Sequence, residues 1–404
     1  MSRRSLALLP LGLVLALLTA VPAAAQTGVA ADDRYVVVLK DSAGAPDKVA
    51  GEQRSRHHLR VGHVYSSALR GYSATVPRDR LAALRADPRV AAVSPDLPVT
   101  ASAQTLPTGV DRVEADRSSA RAGDGTGTTD VDVAVIDTGI AAHPDLNVAG
   151  GTDCTGSGSF EDGNGHGTHV AGIIGARDNG QGVVGVAPGA RLWSVRVLDS
   201  SGRGTTSTVI CGLDWVTRNA GTIDVANMSL GGPGADPAGS GCATGDAQHD
   251  ATCRAVAAGV TFVVAAGNEA SDARNSVPAA YDEVITVSAL ADFNGQPGGG
   301  AASTCRDDVD DTFASFSNYG PAVDIIAPGV CILSTWTGGG YNTISGTSMA
   351  SPHVAGAAAL VRAANPAASP AEVRSALLGA ASADWSDADD PDGVKEPLLS
   401  AAGL

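Results

Sequence analysis

Basic residues are scarce in this sequence, and no long apolar run follows its first 25 residues. The 404 residues include 43 Asp+Glu and 27 Lys+Arg, giving a formal net charge of −16 at pH 7. Nucleic acids and anionic membranes are themselves negative, so an acidic chain is a poor ligand for either. The missing apolar run argues against a downstream membrane span. We therefore expect neither a nucleic acid nor a membrane as a partner.

The first 25 residues differ from the rest of the chain. Arg3 and Arg4 give a positive start, an apolar run extends from Leu6 to Leu18, and three small residues follow at 23–25. This is the pattern of a secretory signal peptide. A membrane anchor is the alternative, but the run is short for a bilayer. We predict a signal peptide at 1–25 and an extracellular protein.

The sequence has no Cys-x-x-Cys pair, which argues against a cysteine metal site. An even number of cysteines in an exported chain instead suggests three disulfides, and six cysteines allow 15 pairings. Our first choice is the pair that closes a short polar loop, Cys242 with Cys253. Cys305 with Cys331 is the second choice, and Cys154 with Cys211 then remains by elimination. The predicted pairs are Cys242–Cys253, Cys305–Cys331 and Cys154–Cys211.

Charge divides the rest of the chain in two. Residues 26–103 carry 11 Lys+Arg and 8 Asp+Glu, whereas the residues beyond 103 carry 14 and 35. The first part predicts a small α+β unit, because short alternating runs are separated by more polar segments. The predicted strands are 34–40, 63–65, 71–76 and 90–93, and the predicted helices are 49–59 and 78–87.

The acidic part alternates short apolar runs with helical patterns. Continuous apolar runs are typical of strands buried on both faces. Helices between such strands predict an α/β fold with a parallel β-sheet flanked by helices on both faces. The predicted strands are 131–136, 192–197, 225–230, 261–265, 284–287 and 323–326. The predicted helices are 166–176, 205–220, 246–258 and 348–364.

The most informative stretch is Ile-Ser-Gly-Thr-Ser-Met-Ala-Ser-Pro-His-Val-Ala-Gly at 344–356. It places Ser348 after a Gly-Thr turn and at the start of a small-residue helix. The free N–H groups and the dipole of a helix N-terminus favour a developing negative charge there. A serine is a weak nucleophile unless a base and an orienting carboxylate assist it.

Two upstream motifs supply such groups. Val-Asp-Val-Ala-Val-Ile-Asp-Thr-Gly at 131–139 puts Asp137 at the end of an apolar strand. Asn-Gly-His-Gly-Thr-His-Val-Ala-Gly at 164–172 puts His166 at the start of a helix. A strand-end aspartate, a glycine-flanked histidine and a helix-capping serine are each common for structural reasons. Their combination predicts nucleophilic catalysis by Asp137, His166 and Ser348.

These three motifs, in this order, resemble those of the subtilisin-like serine proteases, and the proteinase K-like subgroup is the most similar. The resemblance covers roughly residues 30–375. It implies a serine endopeptidase on a subtilisin-like fold, preceded by a ferredoxin-like inhibitory prosegment, made as a self-processing zymogen without an organic cofactor. The implied divisions are a signal peptide at 1–25, a prosegment at 26–103, a catalytic domain at 104–385 and a C-terminal tail at 386–404.

The resemblance also implies further functions along the chain. Maturation cleavage falls near Ala103–Gln104, peptides and proteins are substrates, the prosegment inhibits its own chain, and the enzyme is a monomer. Asn268 and the Ser348 backbone N–H stabilise the oxyanion. Two segments pair with an extended peptide. The implied substrate-binding residues are Ser229, Leu230, Gly231, Gly232, Gly202, Gly204, Ala265 and Gly267.

The first pocket implied by these residues is uncharged, which favours apolar or aromatic residues before the cut. Glu269 stands at the rim of that pocket and is expected to widen tolerance. Thr206 occupies a position in the next outer pocket where many relatives have an aromatic residue.

Two more features are implied by the resemblance alone. Structural calcium is expected at Asp324 with the backbone carbonyls of Asp282 and Val284, since calcium prefers oxygen ligands. The Val277–Pro278 peptide bond is expected to be cis. The acidic residues at 307–311 are a second calcium candidate, although a solvated loop is the favoured interpretation.

Other functions are open to these residues. A catalytically silent extracellular binding protein could use the same fold, and an esterase would use the same acyl-enzyme chemistry. His166 and His169 have His-x-x-His spacing, but the sequence lacks His-Glu-x-x-His and an obvious third zinc ligand. We predict that His169 faces the core and that His353 is structural.

Overall fold

The computed structural model describes residues 34–96, 104–237 and 242–404. The chain forms two compact units, Met1–Ala101 and Ser102–Leu404. The predicted signal peptide and Ala103 lie outside the described residues. No helix among the residues described is long and apolar enough to cross a membrane.

The first unit is a small antiparallel sheet with two helices, in agreement with the α+β prediction. Its sheet has the order β2-β3-β1-β4. Val37, Tyr72 and Leu84 are fully buried and join the sheet to the helices. The elements are β1 (Arg34–Leu39), α1 (Pro46–His57), β2 (Arg60–Tyr65), β3 (Gly71–Thr75), α2 (Arg78–Arg85) and β4 (Val90–Pro95).

The second unit contains the remaining elements. Its strands are β5 (Asp132–Asp137), β6 (Val148–Asp153), β7 (Arg191–Arg196), β8 (Val225–Met228), β9 (Gly232–Pro233), β10 (Thr261–Ala265), β11 (Ser276–Val277), β12 (Ile285–Ala291), β13 (Thr312–Phe313), β14 (Ile325–Pro328), β15 (Ile332–Trp336) and β16 (Gly340–Ile344). Its helices are α3 (Thr108–Arg112), α4 (His166–Gly175), α5 (Thr206–Arg218), α6 (Ala247–Ala257), α7 (Thr347–Ala364) and α8 (Pro370–Ala380).

The main sheet is parallel, as predicted. Seven strands follow the order β6-β7-β5-β8-β10-β12-β14, and β13 pairs antiparallel with β12. Two smaller pairs, β9 with β11 and β15 with β16, are antiparallel. The ends of β5, β8 and β10 open onto one edge, where open parallel sheets bind their ligands.

Helices cover both faces of this sheet. Side chains of a strand point alternately to opposite faces. In β5, Val133 and Val135 belong to the hydrophobic core that includes α4 and α7, whereas Ala134 and Ile136 belong to the core that includes α5. All four residues have no exposed surface. This double burial explains why the strands appear as continuous apolar runs in the sequence.

All three predicted disulfides are confirmed. The Cα–Cα distances are 5.9 Å for Cys154–Cys211, 5.2 Å for Cys242–Cys253 and 5.9 Å for Cys305–Cys331. The described residues contain no free cysteine. The Val277–Pro278 peptide bond is cis, as predicted.

Several elements were not predicted. β6 has the sequence Val-Ala-Gly-Gly-Thr-Asp and lacks an apolar run. α8 begins at a capping box, in which Ser369 and Glu372 bond each other's backbone N–H groups. Near the C-terminus, Leu398 and Leu399 are at most 1% exposed, and Leu398 bridges to Ile326. The segment predicted as a tail therefore contributes buried side chains to the second unit.

Candidate active site

A buried carboxylate faces a histidine at the end of β5. Asp137 is the last residue of β5 and has no exposed surface. Its Oδ1 lies 2.8 Å from His166 Nδ1 and also accepts the Thr138 backbone N–H at 2.7 Å. His166 begins α4, and 26% of its side chain is exposed. The carboxylate thus binds one ring nitrogen and leaves the other available at the surface.

The loop before His166 is built by Asp162, which the sequence analysis did not single out. Its Oδ1 accepts the Gly165 N–H at 2.9 Å, and its Oδ2 accepts the Thr168 N–H at 3.0 Å. Gly165 has φ +116°, and a Cβ there would lie 2.3 Å from the Trp336 ring. Only glycine tolerates both conditions. The Asp-Gly-Asn-Gly sequence at 162–165 is a turn signal that could have indicated this loop.

Opposing effects act on the protonation of His166. Burial works to lower its pKa, but the charge and hydrogen bond of Asp137, aided by the Asp162 charge, raise the pKa above its usual value. A histidine with a raised pKa is a stronger base. The pair is therefore suited to take a proton from a neighbouring hydroxyl group.

Ser348 lies in the first turn of α7 and is connected to the end of β8. Its hydroxyl donates to the Ser229 carbonyl at 3.2 Å, and the Ser229 hydroxyl donates to the Ser348 carbonyl at 2.8 Å. Among the described side chains, Ser348 Oγ makes no hydrogen bond to His166. Catalytic hydrogen bonds are often long or absent before substrate binds, and side-chain rotation at the cleft is fast.

Asn268 follows β10 and is oriented by Thr347, the neighbour of Ser348. Its Oδ1 accepts the Thr347 backbone N–H at 2.8 Å and the Thr347 hydroxyl at 3.0 Å. Since the oxygen is engaged, the side-chain NH₂ remains to donate. It lines the same cavity as Ser348, so the arrangement can offer a hydrogen bond to a negatively charged oxygen formed there.

Two cavities contain the predicted substrate-binding residues. The first has a volume of about 440 Å³ and is lined by Leu230–Gly232, Ala265, Gly267, Asn268, Glu269 and Ser348. The second, of about 610 Å³, is lined by His166, Gly202, Gly204, Thr206 and Ser229–Gly232. Both predicted segments therefore border one groove next to His166.

Asn318 in the wall of the first cavity was missed. Its Oδ1 accepts the Glu269 N–H at 3.0 Å, and its Nδ2 donates to Glu269 Oε2 at 2.9 Å. Glu269 Oε2 also accepts the Asn268 N–H at 2.9 Å. The carboxylate of Glu269, which was predicted at the rim, is thus held by hydrogen bonds in the wall of the first cavity. Asn318 precedes a Tyr-Gly turn, and nothing in its local sequence points to a pocket 49 residues upstream.

The other two histidines of interest are buried. His169 Nε2 lies 3.0 Å from the Ile332 carbonyl, and His353 Nδ1 lies 2.8 Å from the Met349 carbonyl. Burial lowers the pKa of His169 to about 3 and that of His353 to about 4. These contacts do not fit a zinc site. No group of three His, Cys, Asp or Glu side chains in the described chain is arranged to hold a metal.

The predicted calcium position contains an arginine. Arg374 of α8 donates to the Asp282 carbonyl at 3.0 Å and to Asp324 Oδ1, while Asp324 Oδ2 accepts the Thr286 N–H at 2.9 Å. Burial raises the pKa of Asp324 although the guanidinium opposes this. Two of the three expected ligand residues therefore already bind a cation, and calcium does not fit this arrangement unless Arg374 moves.

In the acidic segment 307–311, Asp310 and Asp311 are bound by donors of the protein itself. Asp310 accepts the Phe293 and Ala301 N–H groups at 2.8 Å each. Asp311 accepts Nε of Arg112 at 3.0 Å, and Arg112 Nε also lies 3.3 Å from Asp292. The partners of Asp311 are themselves buried: Arg112 is 5% exposed and Asp292 is 1% exposed.

Several known proteins are similar to the chain. An alkaline protease from Alkalihalobacillus alcalophilus is 44% identical over 301 residues, 74% of this chain and 70% of that protein. A thermostable alkaline protease from Halalkalibacterium halodurans is 40% identical over 362 residues and 89% of each chain. The crystal structure of a cold adapted subtilisin-like serine proteinase is 37% identical with a TM-score of 0.59, over 73% of this chain and 98% of the other.

Two family models match adjacent parts of the sequence. Residues 34–102 match the peptidase inhibitor I9 family, and residues 128–398 match the subtilase family. The second match covers most of the second unit and includes Asp137, His166, Asn268 and Ser348. The chain therefore belongs to the subtilase family of serine proteases and carries an I9-type inhibitor prosegment.

Proposed function

We propose that Ser348 is the nucleophile of this protease, His166 its general base and Asp137 the residue that orients the base. Ser348 Oγ attacks the scissile carbonyl while His166 takes its proton and then passes it to the leaving amine. Water hydrolyses the resulting acyl-enzyme by the same route. The observation that carries this proposal is the 2.8 Å contact between His166 Nδ1 and buried Asp137, which presents the other ring nitrogen to the groove.

The oxyanion is stabilised by Asn268 and by the Ser348 backbone N–H. The Asn268 amide is oriented before substrate arrives because Thr347 holds its oxygen with two hydrogen bonds. Such preorganisation makes a donor effective, since no reorientation is needed as charge develops.

The substrate is an extended peptide that binds along two backbone segments. Gly202–Gly204 and Ser229–Gly232 border the groove beside His166 and offer backbone groups for strand addition. Ala265 and Gly267 line the first pocket, which favours apolar or aromatic side chains. Glu269 is the acidic group there, and hydrogen bonds from Asn318 and from the Asn268 N–H hold its carboxylate in the wall.

The precursor is divided as the sequence suggests. A signal peptide at 1–25 directs secretion, a prosegment at 26–103 inhibits the same chain until it is cut near Ala103–Gln104, and a catalytic domain follows at 104–385. The tail at 386–404 packs with that domain. The mature enzyme acts as an extracellular monomer, without nucleic acid or membrane partners, as its acidic composition favours.

Two finer assignments stay predictions. Membership of the proteinase K-like subgroup rests on the sequence resemblance. Calcium at Asp324, Asp282 and Val284 requires that Arg374 leave its present position. If Asp324→Asn leaves the calcium dependence of thermal unfolding unchanged, calcium does not bind at this position.

Covalent labelling tests the proposed site directly. A serine-directed phosphonylating reagent should modify Ser348, because this serine lines the same cavity as the oxyanion donor Asn268. Ser351→Ala, in the same helix, is the matched control and should still be labelled. Labelling that persists in Ser348→Ala would refute the assignment. Comparing matched amide and ester substrates then separates a protease site from one confined to ester hydrolysis.

A further inference from the structure

The turn that carries Asn268, residues 266–271, follows β10 and contains two residues with left-handed backbone angles. Gly267 has φ +108° and Ala270 has φ +48°. Glycine adopts such angles freely, but they are unfavourable for a residue with a Cβ such as Ala270. A strained backbone persists only where the surrounding contacts impose it. The contacts that hold this turn therefore decide where Asn268 lies.

The buried side chain of Asn318 binds this turn with its whole amide group. Asn318 is 1% exposed. Its Oδ1 accepts the N–H groups of Glu269 at 3.0 Å and Ser271 at 3.1 Å. Its Nδ2 donates to the Ala266 carbonyl and to Glu269 Oε2, both at 2.9 Å. Because a side-chain amide offers two lone pairs and two N–H donors, the turn uses its full hydrogen-bonding capacity.

Hydrogen bonds from Asn318 hold the peptide groups on both sides of Asn268. On one side, the Asn318 backbone N–H donates to the Gly267 carbonyl at 3.0 Å. The N–H of the same peptide group, that of Asn268, donates at 2.9 Å to Glu269 Oε2, the oxygen that Asn318 also binds. On the other side, Asn318 Oδ1 accepts the Glu269 N–H. Since peptide groups are planar, fixing both of them fixes the Cα of Asn268 and the direction in which its side chain leaves the backbone.

The amide of Asn318 packs so closely against the turn that one position there must be glycine. A Cβ added at Gly267 would lie 2.2 Å from Asn318 Nδ2. At the far end of the Asn268 side chain, Thr347 binds the amide oxygen, and the Thr347 hydroxyl also accepts the Gly267 N–H at 3.1 Å. Asn318 thus places the backbone of Asn268, and Thr347 orients its amide.

We propose that Asn318 is a positioning residue for the oxyanion donor. By holding both peptide groups next to Asn268, it places the amide where the oxyanion forms during attack by Ser348. This inference rests on the proposed function, in which Asn268 stabilises that charge. Asn318 lines the first cavity but uses its polar atoms on the turn, so it acts through Asn268. A displacement of about 1 Å can cost about a hundredfold in rate, because the donor must meet the oxyanion at hydrogen-bonding distance.

Steady-state kinetics of the mature enzyme on one apolar peptide, with active sites counted by a covalent inhibitor, tests the role of Asn318. Asn318→Ala should lower kcat about ten- to a hundredfold and change KM less than about twofold, because the bound ground state does not need the oxyanion donor. Asn147→Ala is the matched control. It also removes an amide that donates to a backbone carbonyl, that of Gly189 at 3.0 Å, but outside the two groove cavities, and its kcat should equal that of the parent. If KM rises in Asn318→Ala while kcat holds, Asn318 shapes the substrate pocket through Glu269 and the proposal is wrong.

A double-mutant cycle with Asn268→Leu shows whether Asn318 acts through Asn268. Once the Asn268 amide is gone, Asn318→Ala should lower kcat by no more than about twofold, because residues that act as one unit are not additive. The same loss of kcat in both backgrounds would mean that Asn318 acts independently of Asn268, and would overturn the proposal. Asn318→Asp, which keeps the size and the acceptor oxygen but loses the N–H donors, gives the same cycle if Asn318→Ala misfolds.

The cycle also separates this proposal from the proposed function. If Asn268→Leu alone has the kcat of the parent, the assignment of Asn268 to the oxyanion is wrong, and Asn318 has no donor to position. If Asn268→Leu loses kcat but Asn318→Ala and Asn318→Asp do not, the oxyanion assignment holds and only the role of Asn318 is refuted.

Discussion

Two buried carboxylate clusters in the catalytic unit differ in the partner that each contains. At the end of β5, Asp137 faces His166 at 2.8 Å. Farther along the same unit, Asp311 and Asp292 face Arg112 at 3.0 and 3.3 Å. A histidine changes its charge near neutral pH, whereas an arginine stays protonated. The His166 ring of the first cluster can therefore move a proton during a reaction, whereas the Arg112 guanidinium of the second can only hold charge.

The different partners suggest that the Asp137–His166 cluster serves catalysis and that the Arg112 cluster serves stability. Removing His166 from the first cluster should cost more activity than stability, because 26% of its side chain is exposed at the groove. Removing Arg112 should do the reverse, because it would leave two buried carboxylates without a cation. The predictions below test this separation, beginning with the largest effect.

Ser348→Ala should abolish proteolysis and self-maturation. The purified variant should remain a precursor with residues 26–103 attached, while its unfolding midpoint stays close to that of the inhibited parent. Mass spectrometry of the secreted product gives the result. A variant that matures normally in isolation would mean that another protease does the cutting.

Arg112→Met should lower the free energy of unfolding by about 3–5 kcal/mol, the usual loss when one partner of a buried ion pair is removed. Urea unfolding measures this change. Turnover per active site, counted with a covalent inhibitor, should stay within about twofold at low temperature because Arg112 lies outside the groove. A loss of turnover without a loss of stability would overturn the division between the clusters.

Asn268→Leu should reduce kcat by about a hundred- to a thousandfold, as loss of the same kind of donor does in subtilisin, and should change KM little. The amide is needed only when the oxyanion forms. Steady-state kinetics on one apolar peptide suffices. If KM rises sharply while kcat holds, Asn268 binds the ground state instead.

The Arg112 cluster should also make stability depend on pH. Burial raises the pKa of Asp292 from 3.8 to about 7, although the Gly295 N–H and Arg112 lower it. The folded state therefore holds this proton more tightly than the unfolded chain, and stability should fall as pH rises from about 4 to about 7. In Asp292→Asn this fall should be shallower. Unfolding midpoints measured across that range decide the point.

Titration of His166 in the Asp137 cluster should give the smallest effect of pH on stability. It should occur at higher pH than the effect of Asp292. Its raised pKa means that His166 contributes stability below 6.5, which is lost as pH rises through the folded-state pKa. Activity should rise over the same interval, because the neutral ring is the base. Asp137→Asn should move the kcat/KM profile to lower pH. If the midpoint of the kcat/KM profile is the same in Asp137→Asn as in the parent, Asp137 does not set the pKa of His166.

The sequence predicted those parts of the site that lie in local motifs. Asp137, His166 and Ser348 each sit at a strand end or helix start that short patterns identify, and the parallel sheet followed from apolar runs. It did not predict Asn318 or Arg112, whose partners Glu269 and Asp311 lie 49 and 199 residues away. β6 was missed as well. It contains two glycines and no apolar run, so only its pairing with β7 identifies it as a strand.

The paired hydrogen bonds between Ser229 and Ser348 limit how this enzyme can change. Ser229 begins the segment that borders the groove beside His166, and Ser348 lies in the first turn of α7. A substitution that shifts this segment to accommodate a new peptide also shifts the resting position of Ser348. A substitution that changes substrate selectivity should therefore also change the rate of catalysis. A variant selected for a new substrate would need a compensating substitution near α7 to recover its turnover.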